Sequence, residues 1–278
     1  MNCINNGAHK WYFAEDREQV NGVALVIHGL NFRPAKMDHI INLLTQAGID
    51  VLALSLRGHG DNFERKASVS DDWARMQTLR AISYELWRDE VYHAYELVVQ
   101  YSQEHHHIPV FFVGYSMGAL LVCDLLQSNP HIHFDKMILF SPSLAVHWYT
   151  YAFNPFKALR GLTTQLSASI GYRANTLTGT NAFRALYQAL DHFHKNLNQN
   201  CLNIPTLVFM DPEDELVSYR KVKRLIEDHD ITQWQLTPLV KQGNARRYFH
   251  HLVINPHCVG EETWADVSHK ITVHLQRT

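Results

Sequence analysis

Gly114-Tyr115-Ser116-Met117-Gly118 sits between two apolar runs, Ile108-Pro-Val-Phe-Phe-Val113 before it and Ala119-Leu-Leu-Val-Cys-Asp-Leu-Leu126 after it. The first has the length and composition of a strand, and the second suits a buried helix. A serine on a sharp turn between strand and helix has a strained, closely packed backbone, so its neighbours must be small. Gly114 and Gly118 supply that room. G-x-S-x-G on its own recurs by chance. Flanked by a strand and a helix, it reads as a serine nucleophile.

The same alternation of strand and helix extends in both directions. Lys10 to Ala14, Val23 to Ile27, Asp50 to Leu56, Lys136 to Phe140, Thr206 to Met210 and Trp234 to Val240 read as strands. Helical spacing marks Ala35 to Gly48, Ala81 to Gln103, Lys221 to His229 and Glu262 to Leu275. Apolar runs that are continuous rather than alternating belong to strands covered on both faces, as in a parallel sheet with crossover helices. The expected fold class is therefore α/β. One interval breaks the rhythm. Residues 144–203 hold no convincing buried strand, open with Trp148, Tyr149, Tyr151, Phe153 and Phe156, and turn helical from Thr180 to Leu197. That is too long for an ordinary connection. It is expected to be a helical cap over the carboxyl ends of the strands, where open α/β sheets bind ligands, with 1–143 and 204–278 forming the core.

With 278 residues, 46% hydrophobic and 19% charged, the chain can bury a large core and is not disordered. A formal charge of −2 offers no attraction to nucleic acid or an anionic membrane. The opening ten residues lack the apolar centre of a signal peptide, and no apolar run approaches a membrane span. Cys3, Cys123, Cys201 and Cys258 are far apart, which suggests reduced thiols and a cytoplasmic protein.

A serine hydroxyl needs a base to take its proton and a third group to orient that base. Asp211-Pro-Glu-Asp214-Glu-Leu-Val217 follows a strand, and Asp214 is the expected carboxylate, with Asp211, Glu213 and Glu215 competing. Tyr248-Phe-His250-His251-Leu-Val-Ile-Asn255 provides the base from one of two adjacent histidines. The developing oxyanion needs two backbone N–H groups. Met117 is expected to supply one, and Leu30, in His28-Gly29-Leu30-Asn31, the other. His28 and His59 sit at strand ends and structure loops, while His105-His106-His107 ends a helix. Neither H-E-x-x-H nor C-x-x-C occurs, so no metal site and no cofactor are expected.

Taken together, these segments resemble the α/β-hydrolase superfamily, and within it the cap-bearing carboxylesterases and the monoacylglycerol lipase/lysophospholipase-like group. The resemblance rests on His28-Gly29, Arg57-Gly-His-Gly60, the turn at Ser116, the acid loop 211–217 and His251-Leu-Val-Ile-Asn255. Asp211 stands where that group more usually has glycine. The resemblance implies His251 rather than His250 as the base, and a mostly parallel sheet with helices on both faces.

The function expected is a serine hydrolase that cleaves small or acyl-lipid carboxylic esters through an acyl-enzyme on Ser116. Trp148, Tyr149, Tyr151 and Phe153 are candidates for lining an apolar acyl pocket. Amide or thioester cleavage and acyl transfer would use the same triad, and a non-catalytic ligand-binding module is the alternative from another class. An aminopeptidase would want carboxylates in the cap to hold a substrate amine, and residues 144–203 contain only Asp191.

Overall fold

The computed structural model describes residues 3–5, 7–150, 163–164 and 170–276. In chain order the elements are β1 (Cys3–Asn5), β2 (His9–Tyr12), β3 (Gly22–Ile27), α1 (Asp38–Gln46), β4 (Ile49–Leu54), α2 (Asp71–Arg80), α3 (Tyr84–Glu104), β5 (Val110–Tyr115), α4 (Met117–Ser128) and β6 (Lys136–Phe140). After them come β7 (Thr163–Thr164), β8 (Thr178–Gly179), α5 (Thr180–Lys195), α6 (Gln199–Leu202), β9 (Thr206–Met210), α7 (Tyr219–Asp228), β10 (Trp234–Pro238), α8 (Pro256–Val259) and α9 (Glu261–Gln276). Eight strands form one sheet in the order β1-β2-β4-β3-β5-β6-β9-β10. From β4 to β10 every pairing is parallel; β1 and β2 are antiparallel additions at one edge.

The continuous apolar runs are explained by two cores. Val23, Leu25 and Ile27 of β3 share one buried cluster with Trp87, Val91 and Val98 of α3 and with α4. The alternate residues Ala24 and Val26 face the other way, onto Ile40, Ile41 and Leu44 of α1 and Val267 and Ile271 of α9. Period-2 alternation thus sends every second side chain to a different helix layer, and both layers are apolar. This is the α/β-hydrolase fold.

Two helices depart from the expected pattern. The chain from 71 to 80 is too polar to show a helical stripe, yet it forms α2, capped by Ser70 Oγ accepting the Trp73 N–H at 3.3 Å. Helix α5 falls in the interval expected as a cap, but it packs against α2, α3 and α4. Its Ala182, Ala185, Leu190 and Phe193 belong to the core cluster of the sheet. The fully buried Asp124 of α4 fixes it there, accepting hydrogen bonds from Tyr84 OH and, at 2.6 Å, from His192 Nδ1. Amphipathic spacing shows that a helix packs against something, not which layer receives it. Among the described residues no helix is long and apolar enough to cross a membrane.

The topology positions the site. β3 leads leftward to β4, whereas β5 joins the opposite side of β3, with Ile27 beside Gly114. The connections leaving β3 and β5 run in opposite directions across the sheet, which makes this a topological switch point, the place where open α/β sheets bind ligands.

Candidate active site

Ser116 ends β5 with φ 53° and ψ −116°, a conformation that costs a non-glycine residue energy and is held by its surroundings. Its N–H donates to Phe140 O at 2.9 Å, and its carbonyl accepts from Leu120 N and Ser143 N, both at 3.2 Å. The flanking glycines are required sterically. A Cβ on Gly114 would lie 2.8 Å from Ala119 Cα, and one on Gly118 would lie 2.6 Å from the carbonyl oxygens of Ile27 and His28.

The loops after β9 and β10 bring their chemistry to this turn. Asp214 Oδ1 accepts the N–H groups of Leu216 and Val217 at 2.8 and 2.9 Å, and Oδ2 accepts from His251 Nδ1 at 2.8 Å. His251 Nε2 lies 2.8 Å from Ser116 Oγ. Burial pushes the Asp214 carboxyl upward. His251 beside it and the two loop N–H groups outweigh that, and the carboxyl ends below its ordinary value. All three side chains are buried.

The competing acids and the second histidine are placed apart from Ser116. Asp211 Oδ2 pairs with His250 Nδ1 at 2.7 Å, and its Oδ1 accepts Glu213 N. Glu215 grips the base loop from below, its Oε1 accepting His250 N–H at 2.8 Å and its Oε2 accepting His251 N–H at 3.0 Å. Asp211, Glu213 and His250 could offer one metal-ligand atom each within 4.8 Å. The Asp211–His250 hydrogen bond already accounts for their approach, and Glu213 is exposed.

In the loop after β3, Gly29 lies so close that a Cβ there would be 3.0 Å from Ser116 Cβ. Leu30 follows Gly29 and Met117 follows Ser116, and neither backbone N–H has a hydrogen-bond partner among the described residues. Asn31 next to Leu30 is buried at φ 46°. Its N–H donates to His59 Nε2 at 2.9 Å, its Nδ2 donates to Thr178 Oγ1 at 2.8 Å, and its Oδ1 accepts Asn175 N at 2.8 Å. A bridge between Phe32 and Arg173 continues this seam. The opposite end of the interval is tied to the acid loop instead. Val146 bridges Val217, His147 Nε2 lies 3.0 Å from Asp214 O, and Tyr149 OH donates to Glu215 O at 2.6 Å.

His28 and His59 pack against each other at the start of the loop after β3, with ring centroids 4.6 Å apart and planes tilted by 49°. His28 Nε2 accepts Leu56 N–H at 3.1 Å and His59 Nε2 accepts from Asn31, so in both rings the proton resides on Nδ1. Burial lowers His28 from 6.5 to about 4, with its bond to Gly29 opposing. Burial, followed by the neighbouring His28 ring, holds His59 well below its ordinary value. The unfolded chain takes up a proton near pH 6.5, the folded His28 only near 4. Stability contributed by neutral His28 is therefore complete above pH 6.5 and is lost as pH falls towards 4, by at most about 3 kcal/mol. His28→Gln, which keeps both hydrogen-bonding roles, is expected to flatten the fall of Tm across that window. An equally steep fall in the variant would contradict the assignment.

Of the four aromatics expected to line a pocket, Trp148 is 77% exposed and Tyr149, 41% exposed, is bonded to the acid loop. Tyr151 and Phe153, like Phe156, lie outside the described residues. Sequence reasoning missed the Glu215 grip, the His59–Asn31 bond and Ser143, whose Oγ is 3.0 Å from Ser116 Oγ. No spacing rule marks any of them.

Residues 18–180 match the family model described as serine aminopeptidase, S33. That span includes residues 28–31 and the turn at Ser116; Asp214 and His251 lie beyond it. No curated protein matches the chain by sequence. Among solved structures, a soluble variant of monoglyceride lipase from Saccharomyces cerevisiae is 15% identical, with a TM-score of 0.69 over 99% of this chain and 94% of that one. Paleococcus ferrophilus monoacylglycerol lipase is 16% identical, with a TM-score of 0.65 over 99% and 100%. A carboxyl esterase from Bacillus coagulans is 12% identical, with a TM-score of 0.60 over 99% and 97%. At these identities the likeness is one of fold. With more than half of the chain matched by the family model, the protein is an α/β-hydrolase that belongs to the serine aminopeptidase S33 family.

Proposed function

We propose that the protein is a serine hydrolase that cleaves carboxylic esters through an acyl-enzyme on Ser116. The observation that carries this reading is the unbroken chain of 2.8 Å hydrogen bonds from Ser116 Oγ through His251 to Asp214. Ser116 Oγ attacks the acyl carbonyl while His251 Nε2 takes its proton. The Leu30 and Met117 N–H groups receive the oxyanion, and Asp214 stabilises the imidazolium. His251 then protonates the leaving alcohol and activates the water that releases the acid.

The substrate class we favour is a small ester or an acyl lipid. Fold likeness to lipases and an esterase supports it. Peptide cleavage from a free amino end would need a carboxylate to bind the amine, and Asp191, the only acid in residues 144–203, is exposed on α5. We assign the acyl pocket to a cap running from residue 144 to 177, shorter than 144–203 because α5 lies in the core. The free thiols of Cys123, Cys201 and Cys258 suit a cytoplasmic setting.

A panel of p-nitrophenyl esters of rising chain length, with a monoacylglycerol, a lysophospholipid, an acyl thioester and an aminoacyl amide, tests the reading. Esters are expected to turn over fastest. Preference for the amide or thioester would shift the bond cleaved. No turnover and no covalent labelling by a fluorophosphonate would leave a ligand-binding module.

A further inference from the structure

Ser143 lies in the loop after β6, 27 residues beyond the nucleophile, with its Oγ 3.0 Å from Ser116 Oγ. The backbone, not that contact, brings it there. Ser141 turns the chain at φ 40°, its N–H donates to Phe209 O at 2.8 Å, and Ser143 N–H then donates to Ser116 O at 3.2 Å. The Ser143 side chain is buried against the turn, so its hydroxyl is held beside the reacting oxygen.

Counting protons gives the direction of that hydrogen bond. An ionised Asp214 only accepts, so His251 Nδ1 carries the ring proton and Nε2 of the neutral imidazole accepts. Ser116 must donate its single proton to Nε2. It has none left for Ser143, and Ser143 is therefore the donor in their pair.

We propose that Ser143 is a further catalytic residue, whose hydroxyl donates to Ser116 Oγ and supports the charge on that oxygen while the acyl bond forms and breaks. This inference rests on the ester-hydrolase reading. In acylation the Oγ–C bond forms, the carbonyl π pair moves to the oxyanion and returns as the bond to the alcohol breaks, and the Ser116 proton passes through His251 to that alcohol. In deacylation water adds to the acyl carbon and gives a proton to His251, the Oγ–C bond breaks with its electron pair returning to Oγ, and His251 passes the proton to Oγ. The Ser143 proton stays on Ser143 throughout. Leu30 and Met117 serve the carbonyl oxygen, whereas Ser143 serves the nucleophile, where a donor already in place strengthens as charge develops.

The second-order rate of fluorophosphonate labelling isolates this attack: the Oγ–P bond forms, P–F breaks, fluoride leaves, and the proton goes to His251. Ser143→Ala is expected to label about tenfold more slowly, with an equal fall in kcat/KM for a p-nitrophenyl ester and an unchanged Tm. Ser143→Thr keeps the hydroxyl and is expected to restore most of the rate. Labelling of Ser143→Ala at the wild-type rate overturns the proposal, as does a folded threonine variant no faster than alanine. Wild-type protein that fails to label at Ser116 defeats the ester-hydrolase reading itself, before any Ser143 variant is compared.

Discussion

Ser116→Ala is expected to lower kcat for a p-nitrophenyl ester by about a millionfold, the scale on which triads fail when their nucleophile is removed. The variant loses the atom that reaches both His251 Nε2 and Ser143 Oγ. Leu30 and Met117 would still polarise a bound carbonyl, so a residual rate above that in water is expected. Stability should fall by no more than about 1–3 kcal/mol: alanine keeps its Cβ in the same strained turn, and the buried Ser143 and His251 atoms each lose one partner. The checks are steady-state kinetics with a thermal melt, and mass spectrometry for loss of fluorophosphonate labelling. Turnover within tenfold of wild type would refute the assignment of Ser116.

His251→Ala should cost nearly as much as Ser116→Ala, while His250→Ala should reduce kcat by no more than a few-fold. Adjacent positions with so unequal an effect follow from where the rings point. His251 Nε2 is 2.8 Å from the nucleophile, whereas His250 Nδ1 is committed to Asp211 at 2.7 Å. Losing His250 leaves Asp211 with a buried oxygen to satisfy, so its main effect should be on Tm. Losses in the triad should not add, and the His251 and Ser116 double variant should be no slower than either single one. Kinetics of the two histidine variants on one ester decide the matter, and the reverse ranking would transfer the base to His250.

The parts of this molecule that could be read from the chain are those whose cause is local. The strand before Gly114, the glycines and the apolar helix after them lie within twenty residues and obey one steric rule. The segment from Asp211 to Val217 was readable as a loop after a strand, although its four carboxylates competed for one role. What separates them is three-dimensional. Asp214 receives two loop N–H groups and faces His251, Asp211 faces His250, and Glu215 turns to the backbone of the base loop. Choosing between His250 and His251 from residues alone was impossible for the same reason. Helix α5 shows a different limit. Its apolar stripe is clear, but the partner of that stripe is set by Asp124 and His192, 68 residues apart.

The two ends of the interval between β6 and α5 are unequal neighbours of the chemistry. One is sewn to the acid loop through Val146, His147 and Tyr149, the other to the oxyanion loop through Arg173, Asn175 and Thr178. The interval is therefore not a detachable module in the engineering sense. A chimera that imports a relative's segment at the outer boundaries would unpick the contacts to the loop after β3 and the loop after β9 at once. Splice points placed after Thr150 and before Thr163 leave the first seam native and keep the pairing of β7 with Thr178 and Gly179 that backs the second, so grafts made there test specificity with both seams in place.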